Sequence, residues 1–527
     1  MCYNIFRITE KYFRWEYIIN EEILRKKILG CWHGKNIGGT LGGPCEGFPV
    51  VNHLTFYDPV PEGAIANDDL ELQAMYAAAL DEMERVEISS DVLADIWLRH
   101  MNFHVDEYGV AMKNLSLGIR PPWSGVYDNH FTDGMGAAIR SELWACLAPG
   151  NPGLAAEFAR EDSCIDHAGA GADAEIFFAA LESGAFAGND LRLLIADALK
   201  FLPEDSALGE SIRRTCELWE KHRDWRTVRD LLFERYATEF RTSVEINIPF
   251  TVLALLSGGG DFGKTICDAA NCGMDTDCTA ATAGAILGIL NPDGIPAEWL
   301  APVGHKLIVR ESAVRGLRFP ETIEAFTEQI LNLRKRLVPS VKTYVVPEPD
   351  WTTFQVPAEY SMKKNLHWYH VNLREQNWTP IRLPMISGSL EVPEEFRGNG
   401  GQIVLRYRFE LPADGVYTVL FNTPTSCQVY LDPESEDLHD DRDMLFGRQR
   451  LFLEREIRPM RFRCADRPQI FNPTPGGAPQ NQVKRYLKLS RGMHTLIIAL
   501  APLPSEERIY WGMGIAEDNR FLTGIFR

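Results

Sequence analysis

Two pairs of aspartates are candidates for metal chemistry, because each pair lies directly before a segment of helical pattern. Asp68 and Asp69 occur in ANDDLELQ, and Asp275 and Asp277 occur in GMDTDCTAATAG. Mg²⁺ and Ca²⁺ take oxygen ligands, so two such pairs at helix N-termini could converge on one or two ions. Each pair alone has a plainer interpretation, because Asp is a favoured N-cap and Asp68 with Glu71 has the spacing of a capping box. Taken singly, the pairs leave both interpretations open.

A competing motif lies just before the second pair. Residues 258–265, GGGDFGKT, fit the phosphate-loop pattern G-x-x-x-x-G-K-[ST]. A true phosphate loop follows a buried strand and opens a long helix, whereas Gly258 follows NIPFTVLALLS, a segment typical of a helix. We therefore expect glycines that end a helix, a short connecting loop and a solvent-facing Lys264. An enzyme dependent on nucleoside triphosphate is the less favoured alternative.

A third candidate combines a glycine pattern with a carboxylate. Gly30, Gly34, Gly38 and Gly42 recur every four residues and form one bare stripe along a predicted helix. Each glycine costs up to about 1 kcal/mol of helix propensity, which indicates that another part of the protein approaches this backbone closely. Glu46 follows on the loop after the helix, where it is either a functional carboxylate or a solvated surface residue.

These motifs, in this order, resemble the ADP-ribosylglycohydrolase family, which includes the dinitrogenase-reductase activating glycohydrolases. Residues 30–46 match the family pattern G-x-x-x-G-x-x-x-G-D-x-x-G-x-P-x-E, and residues 67–69 match its T-D-D-T segment. Residues 134–140, GMGAAIR, correspond to its G-N-G-A-A-M-R loop, and residues 273–284 to its G-G-D-T-D-T-x-A-x-x-x-G segment. The resemblance covers about residues 25–300, and four motifs in order are specific although each is weak alone.

The resemblance implies a hydrolase that cleaves the anomeric bond of a ribose-like furanoside with the help of one or two Mg²⁺ ions, Ca²⁺ or Mn²⁺ being alternatives. The implied metal ligands are Asn67, Asp68, Asp69, Asp275, Asp277 and Cys278. Glu46 takes the proton-transfer or water-positioning role. The implied substrate-binding residues are Gly134, Met135, Gly136, Asp166 and His167, although a lone histidine such as His167 is more often structural.

The chain departs from the family pattern at four positions. Asn67 and Leu70 replace the threonines around the paired aspartates, Gly39 replaces an aspartate, and Cys278 stands where a threonine often ligates. Asparagine can still offer a carbonyl oxygen, but a thiol is a poor ligand for Mg²⁺. The number of metals and the substrate therefore stay open, and a non-catalytic sugar- or nucleotide-binding protein with the same fold is the second alternative.

The elements that must position these residues are helices. After an extension over 1–20, apolar residues recur three and four apart from 21 to 337, which predicts one all-α domain. The resemblance implies the orthogonal helical fold of the family for it. After a linker at 338–349, short β-branched and aromatic segments separated by turns predict an antiparallel β-sandwich of jelly-roll or carbohydrate-binding kind over 350–527. An attached sandwich favours a furanoside-containing glycan slightly over an ADP-ribosyl conjugate.

Composition limits the class of protein further. A length of 527 residues predicts two or three domains, and 45% hydrophobic with 24% charged residues is typical of a soluble globular chain. The net charge of −19 argues against a nucleic-acid partner. The sequence shows no signal-peptide pattern and no long apolar run, so we expect no membrane partner and a cytoplasmic location. The oligomeric state stays open.

Overall fold

The computed structural model describes most of the chain in two units. The described residues are 20–129, 131–238, 240–341, 346–384, 386–398, 400–423, 425–438, 444–446, 483–502, 504, 507–517, 520–522 and 524–527. Within them, residues up to 100 and residues 131–341 form the first unit, while residues 101–129 and those from 346 onward form the second.

The first unit is helical, as predicted. The α-helices among the described residues are α1 (Glu21–Gly42), α2 (Asp68–Asp81), α3 (Ser90–His100), α4 (Asp106–Ser116), α5 (Ser141–Leu147), α6 (Pro152–Ser163), α7 (Ala170–Ala185), α8 (Leu191–Ala198), α9 (Ala207–His222), α10 (Trp225–Tyr236), α11 (Val244–Gly258), α12 (Phe262–Asn271), α13 (Thr276–Leu290), α14 (Ala297–Val303) and α15 (Ile323–Arg336). Of these, α4 belongs to the second unit. Many begin at a polar N-cap side chain, for example Ser206, Asp224 and Thr322.

The glycine stripe of α1 packs against α13. Gly34 faces Gly284 so closely that a Cβ on Gly34 would lie 2.0 Å from the Gly284 carbonyl oxygen. Gly30 faces Gly288 and Gly42 faces Thr276 in the same way, so the two helices run antiparallel. The predicted close approach is confirmed, and it brings the end of α1 beside the start of α13.

The phosphate-loop pattern is a turn between two helices. Helix α11 ends at Gly258, the next residue Gly259 has φ +62°, and the side chain of Asp261 caps α12. Lys264 lies on α12, half exposed, where its Nζ donates to the Ser257 carbonyl at 2.9 Å and pairs with Asp268. The expected helix end is confirmed. Helix α11 precedes the glycines, whereas a phosphate loop follows a β-strand.

The second unit is built from antiparallel strands. These are β1 (Gln355–Lys364), β2 (Val371–Asn372), β3 (Thr379–Pro384), β4 (Ile386–Glu391), β5 (Gly401–Leu411), β6 (Gly415–Asn422), β7 (Ser426–Leu431), β8 (Asp437–Leu438), β9 (Met444–Phe446), β10 (Val483–Leu489), β11 (Gly492–Ala501), β12 (Arg508–Glu517) and β13 (Arg520–Phe521). One sheet has the order β3-β1-β5-β11-β7-β9, and the other has β10-β6-β12-β13 with β4 also paired to β12. Both sheets contribute to one apolar core, which makes this unit the predicted sandwich.

The segment 101–129 belongs to the sandwich unit, which sequence patterns did not indicate. Leu117 and Ile119 are part of the sandwich core. Tyr127 stacks on Trp351 with ring centroids 4.6 Å apart, and the Trp123 indole donates to the Val346 carbonyl at 3.1 Å. The two units that the packing defines therefore differ from the prediction of one domain boundary at 338–349, because residues 101–129 precede that boundary and yet belong to the second unit. None of the helices in the described part of the chain is both long and apolar enough to cross a bilayer.

Candidate metal centre

Helices α1 and α13 place the first part of the acidic site. The Thr276 hydroxyl donates to the carbonyl of Gly42, the last residue of α1, at 2.8 Å. The loop carrying Glu46 is then held by two backbone hydrogen bonds of 2.8 Å, from Gly47 to Met274 and from Met274 to Phe48. Glu46 therefore lies on the loop after the helix, as predicted, and faces the start of α13.

Helix α2 supplies the second part. Asn67 is its N-cap: the side-chain oxygen accepts from the Asp69 amide at 2.8 Å, and the side-chain nitrogen donates to Asp277 at 3.1 Å. The capping box suggested by Asp68 and Glu71 is wrong, because Glu71 instead accepts from Arg310. Asn67 thus joins the two aspartate pairs directly.

The aspartate pairs meet at one place. Ligand atoms of Asp69, Asp277 and Cys278 lie within 4.8 Å of one another, and so do those of Glu46, Asp275 and Asp277. The two sets share Asp277, so they form one continuous acidic centre. The convergence expected from the sequence is confirmed, whereas metal ligation itself stays a prediction.

Several oxygens of this centre are buried without a hydrogen-bond donor among the described residues. They are both carboxylate oxygens of Asp69, both of Asp275 and Oδ1 of Asp277, and these residues are only 1%, 2% and 6% exposed. Lys35 Nζ lies 3.0 Å from Asp69 Oδ1 in a buried ion pair, so one of these oxygens faces a cation of the protein itself. Buried carboxylates without donors are costly, and a hard cation with oxygen ligands would satisfy them. The residues therefore fit Mg²⁺ or Ca²⁺.

The pKa values show how strongly these groups resist ionisation together. Burial, with the charges of Asp69 and Asp277, raises the pKa of Asp68 to about 8. Burial, with the charges of Glu46 and Asp69, raises the pKa of Asp277 to about 7. The pKa of Glu46, whose side chain reaches solvent, is also raised, by partial burial and by Asp68 and Asp69. Metal-free, the centre therefore retains protons near neutral pH.

Two supporting residues were missed by sequence reasoning. Lys35 is fully buried and donates to Glu142 at 2.7 Å beside Asp69; burial alone would lower its pKa, but these two carboxylates raise it well above its usual range. Asn247 of α11 accepts from the Asp275 amide at 3.1 Å. A lysine within a glycine stripe was the available signal for the first, because a charged residue there must be buried with a partner.

Two departures from the family pattern have structural consequences. A Cβ at Gly39 would lie 2.9 Å from Nδ2 of Asn67, so the asparagine side chain uses the space that a larger residue at 39 would need. Cys278 lies beside Asp277, and burial followed by the charges of the neighbouring aspartates raises the pKa of its thiol well above the usual range. A neutral thiol is a poor ligand for a hard cation, so Cys278 is the weakest member of the predicted ligand set.

The predicted substrate-binding residues are buried, and three of them lie around Arg140 rather than in the acidic centre. Asp166 is fully buried, and both of its oxygens accept from Arg140 at 2.9 Å. His167 is buried beside it at 2.9 Å, and the Gly136 carbonyl also accepts from Arg140, at 2.7 Å. The other two members of the predicted set are likewise enclosed: Gly134 pairs with Ser243 and Met135 is buried. Substrate contact by these residues stays a prediction, and their burial around Arg140 gives it no support.

The helical domain that carries this acidic centre matches a family of glycosyl hydrolases, a class that is typically metal-dependent. The chain belongs to the ADP-ribosylglycohydrolase family, whose model matches residues 20–338. One solved structure, an "ADP-ribosylglycohydrolase-related protein complex", is 19% identical and has a TM-score of 0.43; the alignment covers 60% of this chain and 99% of that chain. Among curated protein sequences, none matches. The family match over residues 20–338 confirms the resemblance inferred from the four motifs.

Proposed function

We propose that the chain is a Mg²⁺-dependent glycoside hydrolase that cleaves the anomeric bond of a ribose-like furanoside. One observation carries the proposal: Asp69, Asp275 and Asp277 bury five carboxylate oxygens that find no hydrogen-bond donor among the described residues. Lys35 Nζ lies 3.0 Å from one of these oxygens, on Asp69, but a purely structural role would leave the buried oxygens of Asp275 and Asp277 without a donor, which is costly. A bound cation would coordinate these oxygens, and the hydroxyl groups of a sugar could donate hydrogen bonds to them.

The ligands follow from this geometry. Asp69, Asp275 and Asp277 would hold the cation, with Asp68 next to them, while Asn67 fixes Asp69 and Asp277 in place. When bound, Mg²⁺ would orient the vicinal hydroxyls of the sugar and lower the pKa of a water molecule. The positive ends of helices α2 and α13 further favour negative charge at the carboxylates.

Glu46 is the group that would move a proton. It shares the centre with Asp275 and Asp277 but lies on a loop with its side chain open to solvent, so it can approach a bound sugar. Its raised pKa suits a carboxyl group that gives or takes a proton near neutral pH. The surrounding carboxylates would stabilise the oxocarbenium-like transition state of glycoside cleavage.

The substrate would be a small molecule or glycan that contains a furanose. Family membership supports an ADP-ribosyl conjugate, and the attached sandwich supports a furanoside-containing glycan only by analogy. In either case the sugar diol, rather than the leaving group, is what the acidic centre recognises.

The test is hydrolysis by the metal-stripped full chain with and without added Mg²⁺. The substrates are ADP-ribosyl-arginine and a nitrophenyl ribofuranoside. We expect cleavage of at least one of them, dependent on Mg²⁺ and lost in Asp275→Asn. The matched control is Lys264→Ala, which should behave as the parent because Lys264 pairs with Asp268 on α12. Binding of Mg²⁺ and ADP-ribose without cleavage of either substrate would instead favour the non-catalytic alternative.

A further inference from the structure

A second cluster of ligand-type side chains lies on the helical unit away from the acidic centre. We propose that His33, His305 and Glu324 form a zinc site that fastens the segment between α14 and α15 to helix α1. Three different elements bring these residues together: His33 lies on α1, His305 follows Gly304 at the end of α14, and Glu324 lies in the first turn of α15.

The three ligand atoms lie within 4.8 Å of one another. His33 Nε2 lies 3.5 Å from Glu324 Oε1, and His305 Nδ1 lies 2.5 Å from the same oxygen. Ligands 2.0–2.1 Å from a tetrahedral Zn²⁺ lie about 3.3 Å apart, so the first distance needs almost no change. The second must open by roughly 0.8 Å, which is feasible because His305 and Glu324 are at the surface. The imidazole rings stand edge to face at 85°, with centroids 5.1 Å apart.

The chemistry of the set selects a transition metal rather than Mg²⁺. Two imidazoles and one carboxylate are a common zinc ligand set that leaves the fourth position for water, whereas Mg²⁺ requires oxygen ligands. His33 is buried and directs its Nε2 towards Glu324, 3.5 Å away.

The backbone around the cluster is already ordered for such a role. Ile323 donates to the His305 carbonyl at 2.9 Å, and Lys306 pairs with Thr322 in an isolated bridge, so His305 and Glu324 are held side by side. A metal ion would add a link from this pair to His33 on α1.

The fastened segment also reaches the acidic centre. Ile308 lines a small cavity together with Asn67 and Asp69, and Arg310 binds Glu71 through its backbone and its side chain. His33 lies nine residues before the end of α1, or about 14 Å along the helix. Zinc would therefore stabilise the segment that carries Ile308 and Arg310 beside the acidic centre, without belonging to that centre.

The experiment is a calorimetric titration of the metal-stripped full chain with Zn²⁺ in saturating Mg²⁺, which is added because the proposed function assigns Mg²⁺ to the acidic centre. We expect one Zn²⁺ per chain and an affinity at least tenfold weaker in His305→Ala and in Glu324→Gln. Both residues are partly exposed, so these variants should fold. Glu328→Gln is the matched control, because Glu328 is an exposed glutamate one turn further along α15 that pairs with Arg25.

A second measurement identifies the ligands. Co²⁺ in a tetrahedral site with imidazole ligands absorbs visible light far more strongly than Co²⁺ in an octahedral oxygen site. The parent and Glu328→Gln should show the intense band, and His305→Ala should lose it while still binding Mg²⁺. Absence of saturable Zn²⁺ binding, or equal binding by parent and His305→Ala, would overturn the proposal and leave an ordinary ion pair. Neither outcome bears on Mg²⁺-dependent hydrolysis.

Discussion

Replacing Gly34 by alanine tests whether the contact between α1 and α13 builds the acidic centre. The added Cβ would lie 2.0 Å from the Gly284 carbonyl oxygen and 2.5 Å from its carbon. Real Cβ atoms essentially never approach below 3.0 Å, and the obstacle here is backbone, so the helices must separate by about 1 Å. Overpacking typically costs about 1–3 kcal/mol, and a rigid obstacle places this site at the upper end.

The net effect on folding follows from two opposed contributions. Alanine gains up to about 1 kcal/mol of helix propensity over glycine, which offsets part of a steric cost of about 3 kcal/mol. We therefore expect a loss of about 2 kcal/mol in the free energy of unfolding, measured by urea denaturation. The same separation would stretch the 2.8 Å hydrogen bond from Thr276 to Gly42 and displace the start of α13, which carries Asp277, relative to Asp69 on α2, so Mg²⁺ affinity should fall as well.

Gly153→Ala is the matched control. Gly153 lies in the first turn of α6, where a Cβ would meet its nearest atoms at 3.8 and 3.9 Å, an ordinary contact distance. It should leave stability and Mg²⁺ affinity unchanged or slightly improve stability. If Gly34→Ala is as stable as the parent and binds Mg²⁺ equally well, the close helix contact does not position the centre and this reasoning is refuted.

Three further predictions concern the charged groups. Glu46→Gln should keep Mg²⁺ affinity but lower turnover about 10²–10⁴-fold if the carboxyl transfers a proton; an unchanged rate constant would exclude that role. Lys264→Ala should change the free energy of unfolding by no more than about 1 kcal/mol, since it removes one half-exposed ion pair, and a loss of hydrolysis would restore the phosphate-loop interpretation. Without metal, Asp68 and Asp277 have pKa values of about 8 and 7 in the folded state, against about 4 when unfolded. The folded state then binds more protons, so stability should fall as pH rises from 5 to 8, and added Mg²⁺ should reduce this slope; equal melting temperatures at both pH values in EDTA would contradict it.

The sequence was informative where the requirement is local or repeated. A glycine at every fourth position has few explanations besides close helix packing, and the structure has that packing between Gly34 and Gly284. Paired aspartates before helical segments indicated a shared acidic centre, because helix N-termini and hard cations select the same residue types. The order of the motifs then identified the family.

Contacts between distant residues could not be read from patterns. Lys35 meets Glu142 across 107 positions, and Asn247 supports Asp275 across 28. The sequence also could not predict which residue caps α2, because Asn67 and Asp68 are both good N-caps. In the structure Asn67 is the N-cap, and Glu71 accepts from Arg310 instead of completing a capping box with Asp68. Tertiary packing decides such alternatives.

The membership of residues 101–129 in the sandwich unit bears on how the chain can be cut and how it is synthesised. A fragment ending near 338 would retain Leu117 and Ile119 but lose the strands around which they pack. The reverse fragment, beginning near 346, would leave Trp351 without the ring of Tyr127. Expression of either half should therefore give a less soluble product than the full chain. During synthesis, more than two hundred further residues must be translated before the strands that pack against residues 101–129 leave the ribosome.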